Sequence, residues 1–289
     1  MVITKMKFNN LVLKRKIREF LEEDCHFSDI SSSIIPESAI SSAKIMTKSS
    51  GYISGLEELI LIYDILNVSV NLIKKDGDRV KKGDILAHLK GETQAILFGE
   101  RTALNLLSHM SAITNTTRKY VEIIRDSGKS VKIACTRKTL PGLRIFEKKA
   151  VILGGGETHR FSLDDMVLLK DTHLKYFNGN IEEMMIEIKE NTSFTKKIEI
   201  EIERVEDVLI AAKFGADIIM LDNMNPDQVE DAISTLKKNE VRGFVLVEVS
   251  GGITLDNIVD YVIAEPDIIS SSELTQFPSE KVDISLRFD

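Results

Sequence analysis

Basic side chains crowd one short stretch of this sequence. Between Ala134 and His173 stand Arg137, Lys138, Arg144, His159, Arg160 and Lys170, with Gly154-Gly155-Gly156 among them. A guanidinium clamps a carboxylate through two parallel hydrogen bonds, which the point charge of lysine does not reproduce. Arg137, Lys138, Arg160 and Lys170 in one pocket are tolerable only against an anionic ligand or neighbouring acids. Residues 101–175 carry 14 Lys/Arg against 7 Asp/Glu, the remainder 24 against 38, and the chain has a net charge of −7. A positive cleft in an acidic chain suits a small polyanion and argues against nucleic acid.

Acidic residues supply a second group. Glu201 and Asp222 close the apolar runs KIEIEIE (197–203) and DIIMLDN (217–223). On consecutive strands they would face one cavity and hold Mg²⁺ through oxygen ligands. Glu199 and Glu203 share the side of Glu201, because residues two apart in a strand point the same way. Spacing therefore does not choose among the three. Ser250-Gly251-Gly252 follows the run FVLVEVS, and a Gly-rich turn between strand and helix exposes N–H groups that cradle phosphate. Gly154-Gly155-Gly156 reads instead as a flexible turn that lets His159 and Arg160 approach the ligand. His159 alone reads as structural, with a hydrogen-bond donor or general acid as its functional alternatives. Lys170 ends MVLLK, a place that would also suit a Schiff-base lysine. Arg101 sits near the start of a helical pattern from Phe98 to Ile124, where first-turn N–H groups also favour an anion.

The elements that must position these groups are legible in outline. The chain has 289 residues, 43% apolar and 29% charged, enough for one large or two ordinary domains. No apolar run is long enough for a membrane span. The N-terminus, MVITKMKFNNLVLKRK, lacks the form of a signal peptide. Cys25 and Cys135 are the only cysteines, too few for a disulfide framework or zinc site, so a cytoplasmic location is expected. Helical spacing over 11–24 buries Leu13, Ile17 and Leu21. A strand-like stretch, AKIMTKSSGYISG, precedes the helix GLEELILIYDIL. VNLIKKDGDRVKKGDILAHLKGE reads as antiparallel strands, similar to a lipoyl carrier barrel but without the carrier's modified-lysine tip. From residue 131 onward, six apolar strands alternate with amphipathic helices, which predicts a parallel sheet, either a barrel or a doubly wound layer. No Gly-x-Gly-x-x-Gly follows a first strand, so a dinucleotide site is not expected. In a barrel, the chemistry gathers where strands end, and Thr136–Lys138, Lys170, Glu201, Glu203, Asp222 and Ser250-Gly251-Gly252 all fall there.

Taken together the motifs resemble the quinolinate phosphoribosyltransferase family. The resemblance rests on Glu23-Asp24 with Asp29-Ile30, Ser54-Gly55-Leu56-Glu57, Glu100-Arg101-Thr102-Ala103-Leu104-Asn105 and Thr136-Arg137-Lys138-Thr139 with Pro141-Gly142. Gly155-Gly156, His159-Arg160, Leu169-Lys170-Asp171, Leu221-Asp222-Asn223 and Ser250-Gly251-Gly252 complete it. It implies an α/β fold, an N-terminal α/β sandwich (1–110, joined by a C-terminal strand in 275–289) plus an incomplete parallel α/β barrel (111–274). It also implies transfer of phosphoribosyl from PRPP to quinolinate with loss of CO₂, a homodimer or larger assembly with shared sites, and Mg²⁺. By the same resemblance, Arg101, Arg137, Lys138, His159, Arg160 and Lys170 surround quinolinate, and Arg101 is offered to a neighbouring subunit. Lys138, Lys170, Glu201 and Asp222 would be catalytic, with Glu201 and Asp222 on the metal. Ser250, Gly251, Gly252, Ser271 and Ser272 would take phosphate. One departure stands out: Ser272-Glu273-Leu274-Thr275-Gln276 occupies the place of the family's Gly-Ala-Leu-Thr-His. That ending is similar to ModD-like relatives linked to molybdate transport. A Schiff-base aldolase and a phosphate-ligand sensor are the readings from other classes.

Overall fold

The computed structural model describes residues 8–289. Residues 1–7, on which part of the signal-peptide reading rests, lie outside the described residues. In chain order, α1 (Asn10–Asp24) is capped by the Asn9 side chain, which accepts the Leu11 N–H at 2.9 Å. β1 (Ile40–Thr47), β2 (Gly51–Tyr52), α2 (Leu56–Ile65), β3 (Ser69–Leu72), β4 (Arg79–Val80) and β5 (Ile85–Glu92) follow. The long helix α3 (Thr93–Asp126) comes next, then β6 (Lys132–Cys135), α4 (Arg144–Gly154) and β7 (Val167–Leu169). The βα alternation continues through α5 (Asp171–Tyr176), α6 (Ile181–Glu190), β8 (Ile198–Ile202), α7 (Val208–Lys213), β9 (Ile218–Asp222) and α8 (Pro226–Lys238). It ends with β10 (Leu246–Ser250), α9 (Ile258–Val262), β11 (Ile268–Ser271) and β12 (Ile284–Phe288).

These elements form two compact units. The first holds the described residues up to Thr117 together with Thr139–Gly155 and Phe277–Asp289. Its sheet is antiparallel in the order β12-β1-β5-β3, with Ala43 opposite Phe288 and Leu89. Leu13, Ile17 and Leu21 of α1 are buried, as are Leu104, Leu107 and Ile113 of α3. Residues 139–155 belong to this unit although they lie between two strands of the other. An ion cluster accounts for that: Lys149 Nζ on α4 reaches Glu57 and Glu58 at 2.7 Å each, and Glu58 is fully buried. Removing either partner of such a cluster strands a buried charge, which is costly.

The second unit, Arg118–Lys138 and Gly156–Gln276, is built on a parallel sheet in the order β6-β11-β10-β9-β8-β7. All six apolar runs in the sequence form its strands. Their near-continuous burial, complete for Ile218–Leu221 of β9, is what a parallel sheet covered on both faces requires. β6 and β7 stand at the two ends of the order, so the barrel is incomplete. The helices stop and start where side chains permit. On α8, Asn225 and Gln228 cap each other reciprocally at 3.0 Å, with Pro226 at the first helical position. Among the described residues, no helix is long and apolar enough to cross a membrane.

Two local expectations change. α3 begins at Thr93, directly after β5, so Arg101 lies more than two turns inside the helix, and first-turn N–H groups play no part in its surroundings. Gly154-Gly155-Gly156 is a packing and capping device rather than a flexible turn. Gly155 is the left-handed cap of α4 at φ 92°, and a Cβ at Gly154 would lie 2.9 Å from the Thr114 carbonyl oxygen.

Candidate active site

The C-terminal ends of the six parallel strands enclose a cavity of about 470 Å³. Thr136, Arg137 and Lys138 enter it after β6, Lys170 after β7, Glu201 from β8, Asp222 from β9, Ser250 and Glu248 from β10, and Ser270 from β11. His159 and Arg160 arrive from the segment before β7. Most of the predicted cations and both predicted acids therefore meet in one place. Arg101 and Arg144 belong to the first unit. Arg101 is 65% exposed in its side chain, 4.0 Å from Glu100, and Arg144 Nε donates to Thr139 Oγ1 at 3.1 Å.

Local bonds fix the cationic wall. The Lys138 N–H donates to Thr136 Oγ1 at 3.0 Å, and the Lys138 carbonyl accepts from Thr275 Oγ1 at 2.9 Å. Arg160 is buried, and Nη1 donates to the Met166 carbonyl at 3.4 Å. Burial, then the neighbouring Arg137 charge, pull the Arg160 pKa below its ordinary value. Lys170 Nζ bonds Glu201 Oε1 at 2.6 Å. Burial raises the Glu201 carboxyl pKa, with Asp222 and Asp171 adding to the rise and Lys170 opposing it. Asp222 is raised by burial as well, against the pull of Lys170 and Lys138.

Below this wall lies a layer that spacing left unresolved. His159 Nε2 is 3.1 Å from Glu199 and 3.2 Å from Glu248, both fully buried. Burial would lower the imidazole pKa, but the two carboxylates outweigh it and raise it to about 10. Burial and the Glu248 charge push Glu199 up to about 7, against His159. His159 holds a left-handed backbone, φ 51°, and its Nδ1 accepts the Arg160 N–H at 2.7 Å. Glu199, not Glu203, is the inward companion of Glu201. A single acid inside the apolar run of β10 was the available signal for Glu248.

The phosphate turn is shaped by its glycines. Gly251 has φ 96°, and a Cβ there would lie 2.7 Å from Asn223 N. Asn223 N in turn donates to the Ser250 carbonyl at 2.9 Å. The turn does not run straight into a helix, since α9 begins only at Ile258; its N–H groups belong to the turn itself.

The quinolinate phosphoribosyl transferase N-terminal domain matches residues 29–111, and the C-terminal domain of the same family matches residues 113–287. The chain belongs to the quinolinate phosphoribosyl transferase family. A relative from Archaeoglobus fulgidus, named probable nicotinate-nucleotide pyrophosphorylase (carboxylating), is 43% identical over 85% of this chain and 93% of its own. The Homo sapiens nicotinate-nucleotide pyrophosphorylase (carboxylating) is 32% identical over 96% and 92%. The solved nicotinate-nucleotide pyrophosphorylase of Francisella tularensis superposes with a TM-score of 0.89 at 30% identity, over 98% of each chain. In this quinolinate phosphoribosyl transferase family member, the departure after β11 is absorbed by local structure. Ser271 Oγ donates to the Ile253 carbonyl at 2.7 Å and accepts the Glu273 N–H at 3.2 Å, so this hydroxyl is committed and buried. Ser272 opens a short 3₁₀ turn, and its carbonyl accepts from Thr275 and Gln276. Ser270 is the residue of this segment that lines the cavity, with a buried Oγ lacking a hydrogen-bond partner among the described residues.

Proposed function

We propose that this protein transfers the phosphoribosyl group of PRPP to quinolinate with decarboxylation, giving nicotinate mononucleotide, pyrophosphate and CO₂. The observation that carries this reading is the meeting of Arg137, Lys138, Arg160 and Lys170 with Glu201, Asp222 and Ser250 in one cavity at the strand ends. Family membership and the names of the relatives favour it over the molybdate-linked and Schiff-base alternatives. Arg137 and Arg160 clamp the two carboxylates of the pyridine, and the Ser250-Gly251-Gly252 turn receives the 5′-phosphate. Held together, the ring nitrogen lies in line with C1 of the ribose, and most of the rate comes from this alignment. The nitrogen lone pair forms the bond to C1 as the C1–O bond breaks, its electron pair leaving with pyrophosphate. The bond from C2 to its carboxylate then breaks, and the electron pair left on C2 takes a proton. Lys138 and Lys170 offset negative charge beside the ring during that second step.

Mg²⁺ suits Glu201 and Asp222: these are oxygen donors on adjacent strands, half-buried, and the Asp222 charge raises the Glu201 pKa. When bound there, the ion would offset charge on the departing pyrophosphate. A homodimer sharing its sites through Arg101, and a cytoplasmic location in keeping with two free cysteines, complete the proposal. The direct test is incubation with quinolinate, PRPP and Mg²⁺. Nicotinate mononucleotide and CO₂ are expected in equal amounts, with turnover abolished by EDTA; no product at saturating substrates would refute the reading.

A further inference from the structure

The cavity presents a second electrostatic surface that the anion-gripping wall does not use. At its floor lies Glu248, fully buried, with Oε2 3.2 Å from His159 Nε2 and Oε1 without a hydrogen bond among the described residues. Glu199, equally buried, lies beside it across His159, and one of its oxygens is likewise without a hydrogen bond. The layer sets two buried carboxylates around one imidazole, so acids outnumber bases in it. A buried carboxylate in excess of the bases around it is costly to keep. Hydrophobic residues of similar size would fill the same floor without that cost.

A negative floor under a positive wall matches a ligand that is anionic at its edge and cationic at its centre. Quinolinate alone is not such a ligand, because its ring nitrogen is neutral and its two carboxylates are negative. Positive charge appears at the centre only during the transfer. It arises on ribose C1 as the C1–O bond breaks, and on the ring nitrogen as the lone pair becomes the N–C1 bond. We propose that Glu248 supplies the negative charge that stabilises this developing cation, and that Glu199 is a positioning residue acting through His159. The inference rests on the phosphoribosyl-transfer reading above and concerns only its first step. No atom beyond those already balanced there is needed, because Glu248 acts by charge alone.

The ground state and the reacting state then respond with opposite signs to loss of the charge, and this separates the inference from a structural role. Glu248→Gln keeps shape and volume. It should bind quinolinate at least as tightly as the wild type, because a negative charge facing a dianion is gone. Its kcat should nevertheless fall on the order of a hundredfold, the scale of losing one preorganised electrostatic contact. Glu248→Asp, which keeps the charge but sets it back, should retain more turnover than Glu248→Gln. The measurements are isothermal titration with quinolinate, steady-state kinetics and thermal unfolding, run on full-length wild type and both variants.

Weaker quinolinate binding in Glu248→Gln together with a lowered melting temperature would overturn the inference in favour of a structural layer. Unchanged kcat would overturn it too. His159, Glu199 and Glu248 also place three ligating atoms within 4.8 Å of one another. One equivalent of a transition metal in the purified wild type, lost in Glu248→Gln, would make the layer a metal site instead. If Glu248→Gln does not fold, Glu248→Asp carries the test, with lower kcat at unweakened quinolinate binding in support and the reverse pattern against. A wild type without transfer activity sinks the parent reading, and this one with it, whereas an active wild type with an equally active Glu248→Gln sinks this one alone.

Discussion

Arg137 and Arg160 make the sharpest demand on a ligand. They lie close enough that the Arg137 charge depresses the Arg160 pKa, and Arg160 is buried. Two guanidinium groups held together gain most when a dianion lies between them. Arg160→Ala should therefore raise KM for quinolinate about 10- to 100-fold, the loss of one charge-assisted contact of roughly 1.5–3 kcal/mol. KM for PRPP should move by less than about threefold on the same scale. Steady-state kinetics with each substrate varied in turn would decide it, and equal increases would refute the carboxylate clamp. Arg137 was legible in the sequence because it follows an apolar strand, whereas Arg160, in the segment before β7, was legible only as one of a cluster of basic residues. Glu199 was not, because alternation put three glutamates on one side of β8 and only burial separates them. Glu199 faces His159, Glu201 meets Lys170, and Glu203 lies past the end of the strand. Ser270 escaped for a similar reason, since three consecutive serines look alike until one of them lines the cavity.

Strands were easier to read than the points where they turn into something else. Parallel strands covered on both faces must be apolar almost throughout, so each announces itself. The start of α3 does not: β5 passes into it without an intervening residue, and pairing of Ile40 with Glu92 fixes the boundary through a partner far away in the sequence. The turn after β10 shows the same dependence on a distant neighbour. Gly251 is confined by Asn223, which follows β9, whereas a Cβ at Gly252, with φ 64°, would meet open space. Gly251→Ala should accordingly cost more than about 2 kcal/mol, from clash and left-handed strain together, while Gly252→Ala costs only the strain, about 1 kcal/mol. Melting temperatures of the two variants would show the difference, and KM for PRPP should rise more in Gly251→Ala. The opposite ranking would mean that the Asn223 contact does not define the turn.

At the scale of the molecule, two of the predicted cations, Arg101 and Arg144, belong to the first unit and the others line the cavity of the second. Arg101 sits mid-helix on α3 in the first unit with a largely exposed side chain, and it is not among the cavity-lining residues of the second. An exposed arginine is ordinarily solvated and contributes little. The homodimer proposed above would give this one a different use, completing the quinolinate site of the neighbouring subunit. That arrangement has an arithmetic consequence. If Arg101→Ala and Lys170→Ala each abolish activity alone, a mixed dimer holds one site carrying both defects and one site carrying neither. Random mixing of equal amounts makes half of all dimers mixed, and each has one intact site of its two. About a quarter of wild-type activity should therefore return after subunit exchange, with the fraction set by mixing statistics rather than by affinity. Mixed dimers can be isolated with two different affinity tags and assayed directly, where half of wild-type activity is expected. No recovery in confirmed mixed dimers would mean that each chain completes its own site, and Arg101 would revert to an ordinary solvated arginine.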